Sequence, residues 1–188
     1  MLGSFQEIKE IKAIFADSPL GRKADGVDLE KFANKADQPL AVMCEAYKNC
    51  PVENGEWSDE RGDSQWKPDK DYVPQKSNPD GKSWGKILNE HGIDHVDFKD
   101  GEPDFDRISK GNVEIKDFTD SRTDNFDQAD IELAAKKGCS PSEVKEWRKE
   151  NSFTWHECKD TKTMQKVPGI VHNNIPHSGG ISEVKKGA

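Results

Sequence analysis

The sequence predicts an α+β fold, with several helices, a small β-sheet and a compact ββα unit at its C-terminal end. Segments with apolar residues at steps of three and four alternate with short segments of period two, and no internal repeat is visible. The ββα pattern occupies residues 153–180, which also contain three of the five histidines. The fold class and the expected chemistry therefore both depend on this last stretch.

Composition predicts one modest globular domain with polar extensions. The 188 residues are 32% hydrophobic and 34% charged, with a mean hydropathy of −0.96. No long apolar run predicts a membrane span or a signal peptide. The cysteines are too sparse for a disulfide scaffold and include no Cys-x-x-Cys pair, so we expect reduced thiols and a cytosolic place of action. They are Cys44, Cys50, Cys139 and Cys158.

The charge is negative overall and unevenly distributed. A net charge of −8 argues against a protein that coats nucleic acid. Residues 151–188 nevertheless carry five lysines against three acidic residues, so the preceding 150 residues have a net charge of −10. This distribution suits an enzyme that contacts phosphates locally, and the acidic part could instead face a partner.

Three segments follow from the pattern of apolar residues. Residues 1–50 are predicted to be a helical N-terminal segment, because apolar side chains recur at helical spacing in its first part. Residues 51–82 are rich in Pro, Gly, Asp, Ser and Lys without periodicity, which predicts a loop or linker. We expect its Trp57 and Trp66 to anchor it rather than to stack on bases. Residues 83–188 form the predicted functional domain. The apolar positions of the first helix are Phe5, Ile8, Ile11 and Phe15.

The domain is predicted to begin with a helix and two strands. Residues 83–91 form a short helix that ends at Gly92, and residues 93–98 and 113–118 alternate as strands. His91 and His95 have a spacing that suits a metal site on a helix. Because Gly92 separates them, we do not predict one there.

Two more helices are predicted before the ββα unit. Residues 125–137 form a helix closed by Gly138. Ser140 to Glu143 has the pattern of a capping box with Pro141 at the first helical position, so a second helix runs to about Asn151. The residues expected to face the core are Phe126, Ala129, Ile131, Leu133, Ala134, Val144 and Trp147.

The ββα unit is predicted from its strand and turn chemistry. Residues 153–156 are aromatic and β-branched, and residues 163–167 alternate like a returning strand. Pro168 suits the first position of a helix, and Pro176 should end that helix near Ile175.

The three histidines of this unit predict a metal site. On a continuous helix His172 and His177 would point about 140° apart. Pro176 breaks the helix and the following glycines let the chain turn back, so both imidazoles can approach one point, where neutral imidazoles bind divalent transition metals. His156 would add a third ligand or a general base. Glu157 offers a carboxylate, but adjacent strand residues face opposite sides.

These residues carry a resemblance to a known family. The ordered motifs are Trp155-His156-Glu157, Thr163-Met164-Gln165, Val167-Pro168, His172 and His177-Ser178-Gly179-Gly180. They resemble the HNH/endonuclease VII nuclease superfamily, nearest to its Trp-His-His or Trp-His-Glu subset in bacterial polymorphic and contact-dependent toxins. The pattern is also similar to the ββα-metal (His-Me) finger of colicin-type DNases. It covers about thirty residues, and a weaker resemblance reaches upstream to about Gly92. Glu157 replaces a second His of the colicin-like pattern, and Thr163 or Gln165 replaces a frequent Asn.

The resemblance implies a metal-dependent endonuclease, with DNA as the expected substrate, that acts as an antagonistic toxin in the cytoplasm of a target bacterial cell. It also implies a cognate immunity protein and one divalent cation, which could be Zn²⁺, Mg²⁺ or Ni²⁺. His172 and His177 would hold the cation, with His156 as the base or as a third ligand. Glu157 would complete the metal shell or act as the base, and Gln165 would orient a histidine or the phosphate. Cys158 is expected to be a small strand residue rather than a ligand.

Two alternatives remain open. Pro103-Asp104 with Glu114-Ile115-Lys116 matches the short PD-(D/E)xK pattern, in which Asp104 and Glu114 would hold Mg²⁺ and Lys116 would assist. The chain could also be a non-enzymatic acidic or zinc-binding interaction module, with Cys158 or Glu157 as a fourth zinc ligand.

Overall fold

The computed structural model describes residues 47–187. The chain divides into two compact units, Met1–Leu40 and Ala41–Ala188, and the described residues lie in the second. The helices predicted within residues 1–50, together with Cys44, therefore lie outside the described residues, apart from the last few positions of that segment.

The described part has an α+β architecture with two small antiparallel sheets and several helices, as the sequence predicts. None of the helices in this part of the chain is long and apolar enough to span a lipid bilayer. In chain order the elements are β1 (Gly55–Trp57), β2 (Gln65–Pro68), α1 (Trp84–His91), β3 (Val96–Lys99), β4 (Glu102–Asp104), a 3-10 helix (Asp106–Ile108), β5 (Asn112–Glu114), α2 (Arg122–Lys137), α3 (Pro141–Glu150), β6 (Phe153–Glu157), β7 (Thr163–Pro168), α4 (Gly169–His172) and α5 (Gly180–Lys186).

The first sheet has the strand order β1-β2-β3-β4, and each neighbouring pair is antiparallel. The stretch predicted as a loop or linker, residues 51–82, contains the two short strands β1 and β2. Strand β2 pairs with β3 by placing Trp66 opposite Val96. The rings of Trp57 and Trp66 lie 5.2 Å apart and Trp66 is buried, so the anchoring role of the two tryptophans is confirmed.

The second sheet has the strand order β5-β7-β6 and contains the predicted hairpin. Its strands end within one residue of the predicted positions. Pro168 closes β7 and is the N-cap of α4 rather than its first residue. The strand predicted at residues 113–118 is shorter and spans Asn112–Glu114.

Some of the residues of α2 and α3 that are predicted to face the core are buried, and others are exposed. The capping box at Ser140 and Glu143 is present, and Val144 is buried. Ile131 and Trp147 were predicted to face inward but are 53% and 41% exposed. Ile131 follows the buried Ala129 by about 200° around the helix, so it points to solvent. The Trp147 ring instead lies at the protein surface, where Nζ of Lys166 is 4.2 Å from its centre.

The ββα unit contributes to two hydrophobic clusters. The first joins the upstream sheet and α1 to Val167, Val171 and Ile175 of the unit. The second joins α2, α3 and β5 to Trp155 and Met164. The hairpin and the short helix after it are therefore held from both sides by apolar packing.

Candidate active site

His156, His172 and His177 come together as the sequence predicts. His156 lies in β6, His172 is the last residue of α4, and His177 follows Pro176 in the next turn. The Nδ1 atom of His156 is 3.3 Å from Nε2 of His172. One ligand nitrogen from each of the three residues lies within 4.8 Å of the others.

The hydrogen bonds of these rings direct their free nitrogens toward one another. The Nδ1–H of His177 donates to the backbone oxygen of Ile175 at 2.7 Å, which leaves Nε2 with a lone pair. The Nδ1 of His172 is 3.1 Å from the side-chain oxygen of Asn173, so its Nε2 is free in the same way. With a proton on its Nε2, His156 adds a third lone pair from Nδ1. Three imidazole lone pairs that converge on one point are a donor set that fits a divalent transition metal.

The surroundings keep the two C-terminal imidazoles neutral. Burial, followed by the nearby His156, lowers the pKa of His172 to about 4. Burial and the other two histidines lower the pKa of His177 well below its ordinary value. Both rings can therefore bind a cation near neutral pH without first losing a proton.

An aromatic ring forms the floor of this histidine cluster. Phe105 is buried between β4 and the 3-10 helix, and its ring centre lies 5.1 Å, 5.8 Å and 5.9 Å from those of His156, His172 and His177. Phe105 thus excludes water from one side of the rings, which strengthens electrostatic interactions at the centre.

Glu157 points to the other side of β6, toward the start of α2. Its two oxygens accept hydrogen bonds from Asn125 at 2.8 Å and from Arg122 at 3.1 Å. Glu157, Arg122 and the three histidines line the same cavity of about 280 Å³. Each carboxylate oxygen keeps a second lone pair, so Glu157 can still accept a proton from a molecule in this cavity.

Sequence reasoning missed Arg122. This side chain is 64% exposed at the first turn of α2 and reaches the histidine cavity through its pair with Glu157. The only signal was a basic residue near the predicted start of α2. A single basic residue does not show that the start of α2 packs beside β6.

Gln165 lies directly across from His156 in the hairpin, but it does not line the histidine cavity. Its Nε2 donates to Asp106 at 2.7 Å, and its Oε1 is buried without a hydrogen-bond partner. It borders a second, acidic cavity that also contains Glu102 and Cys158.

Gly179 and Gly180 are required for close packing rather than for a turn. Gly179 has φ −110° and ψ −169°, an extended conformation that any residue can adopt. A Cβ atom there would lie 2.6 Å from the backbone oxygen of Glu157, and one at Gly180 would lie 2.5 Å from that of Cys158. The chain after His177 therefore presses against the end of β6.

The PD-(D/E)xK alternative gains no support from the structure. Asp104 lies in β4 and Glu114 in β5, which belong to different sheets, and Glu114 pairs with Lys162 at 3.3 Å. Among the residues that the structure describes, neither carboxylate belongs to a group that could hold a metal ion.

The histidines upstream also form no metal-binding group within residues 47–187. His95 lies between the carboxylates of Asp94 and Asp97, at 2.6 Å and 3.4 Å.

Cys158 is half-buried just after β6. Burial, followed by Glu102 and Asp160, raises the pKa of its thiol. The thiol is therefore protonated near neutral pH. Cys158 also forms a second potential metal-binding group with Glu102 and His156.

Comparison with known families gives a match that includes the residues of this site. Residues 95–179 match the family described as the DNase/tRNase domain of colicin-like bacteriocin. The match supports a nuclease toxin domain. The matched stretch runs from β3 to Gly179 and includes all three clustered histidines, Glu157 and Arg122. No curated protein matches the chain.

Proposed function

We propose that this chain is a metal-dependent endonuclease that hydrolyses phosphodiester bonds of DNA, as the toxin domain of a bacterial antagonistic system that acts in the cytoplasm of a target cell. The observation that carries the proposal is the convergence of three imidazole nitrogens within 4.8 Å, in a stretch that matches the colicin-like nuclease family.

In this proposal His156, His172 and His177 hold one divalent cation. Three imidazole nitrogens favour Zn²⁺ or Ni²⁺ over Mg²⁺, which takes oxygen ligands. When bound, the cation would supply Lewis-acid stabilisation of the charge that develops on the phosphate. His156 is proposed as a ligand rather than the general base, because its Nδ1 faces Nε2 of His172 within the histidine cluster. The base must then be another group that lines the cavity.

Glu157 is the proposed general base. Its carboxylate lines the cavity beside the histidines, and the hydrogen bonds from Arg122 and Asn125 hold it in place. It would take a proton from the attacking water, a contribution of about 10²–10⁴-fold for a well-placed base. The exposed guanidinium of Arg122 is positioned to contact a phosphate oxygen at the cavity mouth. Gln165 positions the His156 ring from the neighbouring strand.

The decisive experiment is a cleavage assay with the full chain after metal removal and reloading. We expect supercoiled plasmid to be nicked and linearised in the presence of a divalent cation, and EDTA to stop the reaction. The His172→Ala and His177→Ala variants should lose most metal affinity by calorimetry as well as cleavage. Cleavage that persists in EDTA, or unchanged metal affinity in both variants, would contradict the proposal.

A second candidate function is cleavage of tRNA. The matched family description includes both DNases and tRNases, so it favours neither substrate. The same assay with total tRNA decides between them. Faster cleavage of tRNA than of plasmid would assign the site to RNA.

A cognate immunity protein is the expected partner, since a nuclease toxin endangers the cell that makes it. We expect co-expression of that protein to restore growth to cells that express this chain. If none of the proteins encoded by neighbouring genes restores growth when co-expressed, the proposal of an immunity partner is contradicted.

A further inference from the structure

His156 has a second face that the proposed reaction does not use. Its Nε2 atom is buried and has no hydrogen-bond partner, and the nearest carboxylate oxygen, that of Glu102 in β4, is 3.6 Å away. Cys158 follows His156 by two residues, so both side chains leave the strand on the same side. One ligand atom from each of Glu102, His156 and Cys158 lies within 4.8 Å of the others.

This group is open to cations from solvent. Glu102 and Cys158 line a cavity of about 560 Å³ that is separate from the histidine cavity. The carboxylates of Asp104, Asp106 and Asp160 line it as well, and the side chains of Asp104 and Asp106 are exposed. A cavity with an excess of carboxylates concentrates cations near its wall.

We propose that Glu102, His156 and Cys158 form a second cation site for a thiophilic divalent ion such as Zn²⁺, and that this site competes with the three-histidine centre for His156. The mixed ligand set of a thiolate, an imidazole and a carboxylate is typical of Zn²⁺, whereas Mg²⁺ takes oxygen ligands. The site itself stands apart from the proposed function, and only its inhibitory consequence rests on that function.

Competition follows from the tautomers of one neutral ring. Binding at this site uses the Nε2 lone pair of His156, so the ring proton must reside on Nδ1. That Nδ1–H then points at Nε2 of His172, 3.3 Å away, and removes the third lone pair from the histidine centre. At Cys158 the S–H bond breaks, the proton goes to solvent and a sulfur–metal bond forms. An ion held here therefore withdraws His156 from the catalytic centre.

Cobalt substitution tests the site without relying on nuclease activity. Co²⁺ bound to a thiolate gives an intense near-ultraviolet charge-transfer band, and Co²⁺ bound only to imidazoles does not. We expect the full chain titrated with Co²⁺ to develop this band, and Cys158→Ser and Cys158→Ala to lose it. Cys139→Ser is the matched control and should keep the band, because Cys139 is exposed and belongs to neither metal-binding group.

The His172→Ala variant tests the competition. Removing a ligand of the histidine centre should increase the thiolate band at one equivalent of Co²⁺. In the cleavage assay, excess Zn²⁺ should inhibit the wild type, and Cys158→Ser should resist that inhibition. Absence of the thiolate band in both the wild type and His172→Ala would overturn the site. A Cys158-dependent band with two bound ions per chain, unchanged in His172→Ala, would overturn the competition.

Discussion

At the scale of single residues, the two carboxylates beside His156 have different surroundings. Glu157 is buried and its two oxygens are hydrogen-bonded by Arg122 and Asn125. Glu102 accepts from the backbone N–H of Lys159 at 2.6 Å and opens onto the acidic cavity. Glu157 can therefore be substituted without changing the three nitrogens that converge on the histidine centre.

This separation gives a prediction for Glu157→Gln. The amide keeps the shape of the side chain but cannot accept a proton, so cleavage should fall by at least about 100-fold. Metal affinity by calorimetry should remain close to wild type. Glu114→Gln, which alters an exposed carboxylate in β5, is the matched control and should leave both values unchanged. Full activity in Glu157→Gln would transfer the base role to another group.

The lowered pKa values of His172 and His177 predict a pH-dependent stability of the metal-free protein. As pH falls below about 6.5, the unfolded chain takes up protons on these rings. The folded chain resists protonation at His172 until about pH 4, so the free energy of unfolding should decrease between these values. Urea unfolding in EDTA at a series of pH values measures this. A double His172→Ala, His177→Ala variant should show a flatter dependence, and equal slopes would contradict the assignment.

At the scale of elements, the tail after His177 is held against β6 by two glycines. Gly179→Ala would place a methyl group 2.6 Å from the backbone oxygen of Glu157, so the tail must shift and carry His177 with it. We expect weaker metal affinity and reduced cleavage. Gly187→Ala is the matched control, because the nearest atom to its added Cβ is 3.8 Å away. Unchanged metal affinity in Gly179→Ala would show that the tail can relax without moving the ligand.

A buried ion pair links α2, α3 and β6. Arg148 donates two hydrogen bonds to Asp130, at 3.2 Å and 2.8 Å, and the indole N–H of Trp155 donates to the same carboxylate at 2.8 Å. Arg148→Met would leave Asp130 buried without its cation and should destabilise the fold by about 3–5 kcal/mol.

The control for that prediction is Lys145→Met. Lys145 pairs with Asp127 at 2.7 Å, but the two side chains are 42% and 49% exposed to solvent, so the loss should be below about 1 kcal/mol. Chemical denaturation of both variants makes the comparison. Equal losses in the two variants would show that the buried pair contributes no more than a surface pair.

The sequence predicts elements best where local chemistry determines them. The capping box of α3, the stop of α1 at Gly92 and the hairpin of β6 and β7 depend on near neighbours, and all are observed. Strands β1 and β2 are only three and four residues long, and they are strands because each finds a partner. Such pairing leaves no periodic signal within the segment. For the same reason Glu102 and Arg122 could not be placed near His156 from the sequence.

At the scale of the whole molecule, the upstream sheet is part of the same folding unit as the histidine centre. Trp66 of β2 and Val96 of β3 share a hydrophobic cluster with Val171 and Ile175, which flank His172. A fragment of residues 83–188 lacks β1 and β2, so it should expose this cluster and melt without a cooperative transition. A fragment of residues 41–188, the whole compact unit, should melt cooperatively and bind metal. A cooperatively folded, metal-binding 83–188 fragment would contradict the prediction.

The position of the three histidines has a consequence for the order of folding events. The β6–β7 hairpin closes over a few residues, so it can form early, with His156 in place. His172 and His177 depend on Val171 and Ile175 being covered by the distant strands β2 and β3, which requires long-range closure. Metal capture should therefore be one of the last steps of refolding. In a stopped-flow experiment the cobalt spectrum should appear after most of the change in tryptophan fluorescence. A partly folded chain would then bind no metal ion and cleave no substrate.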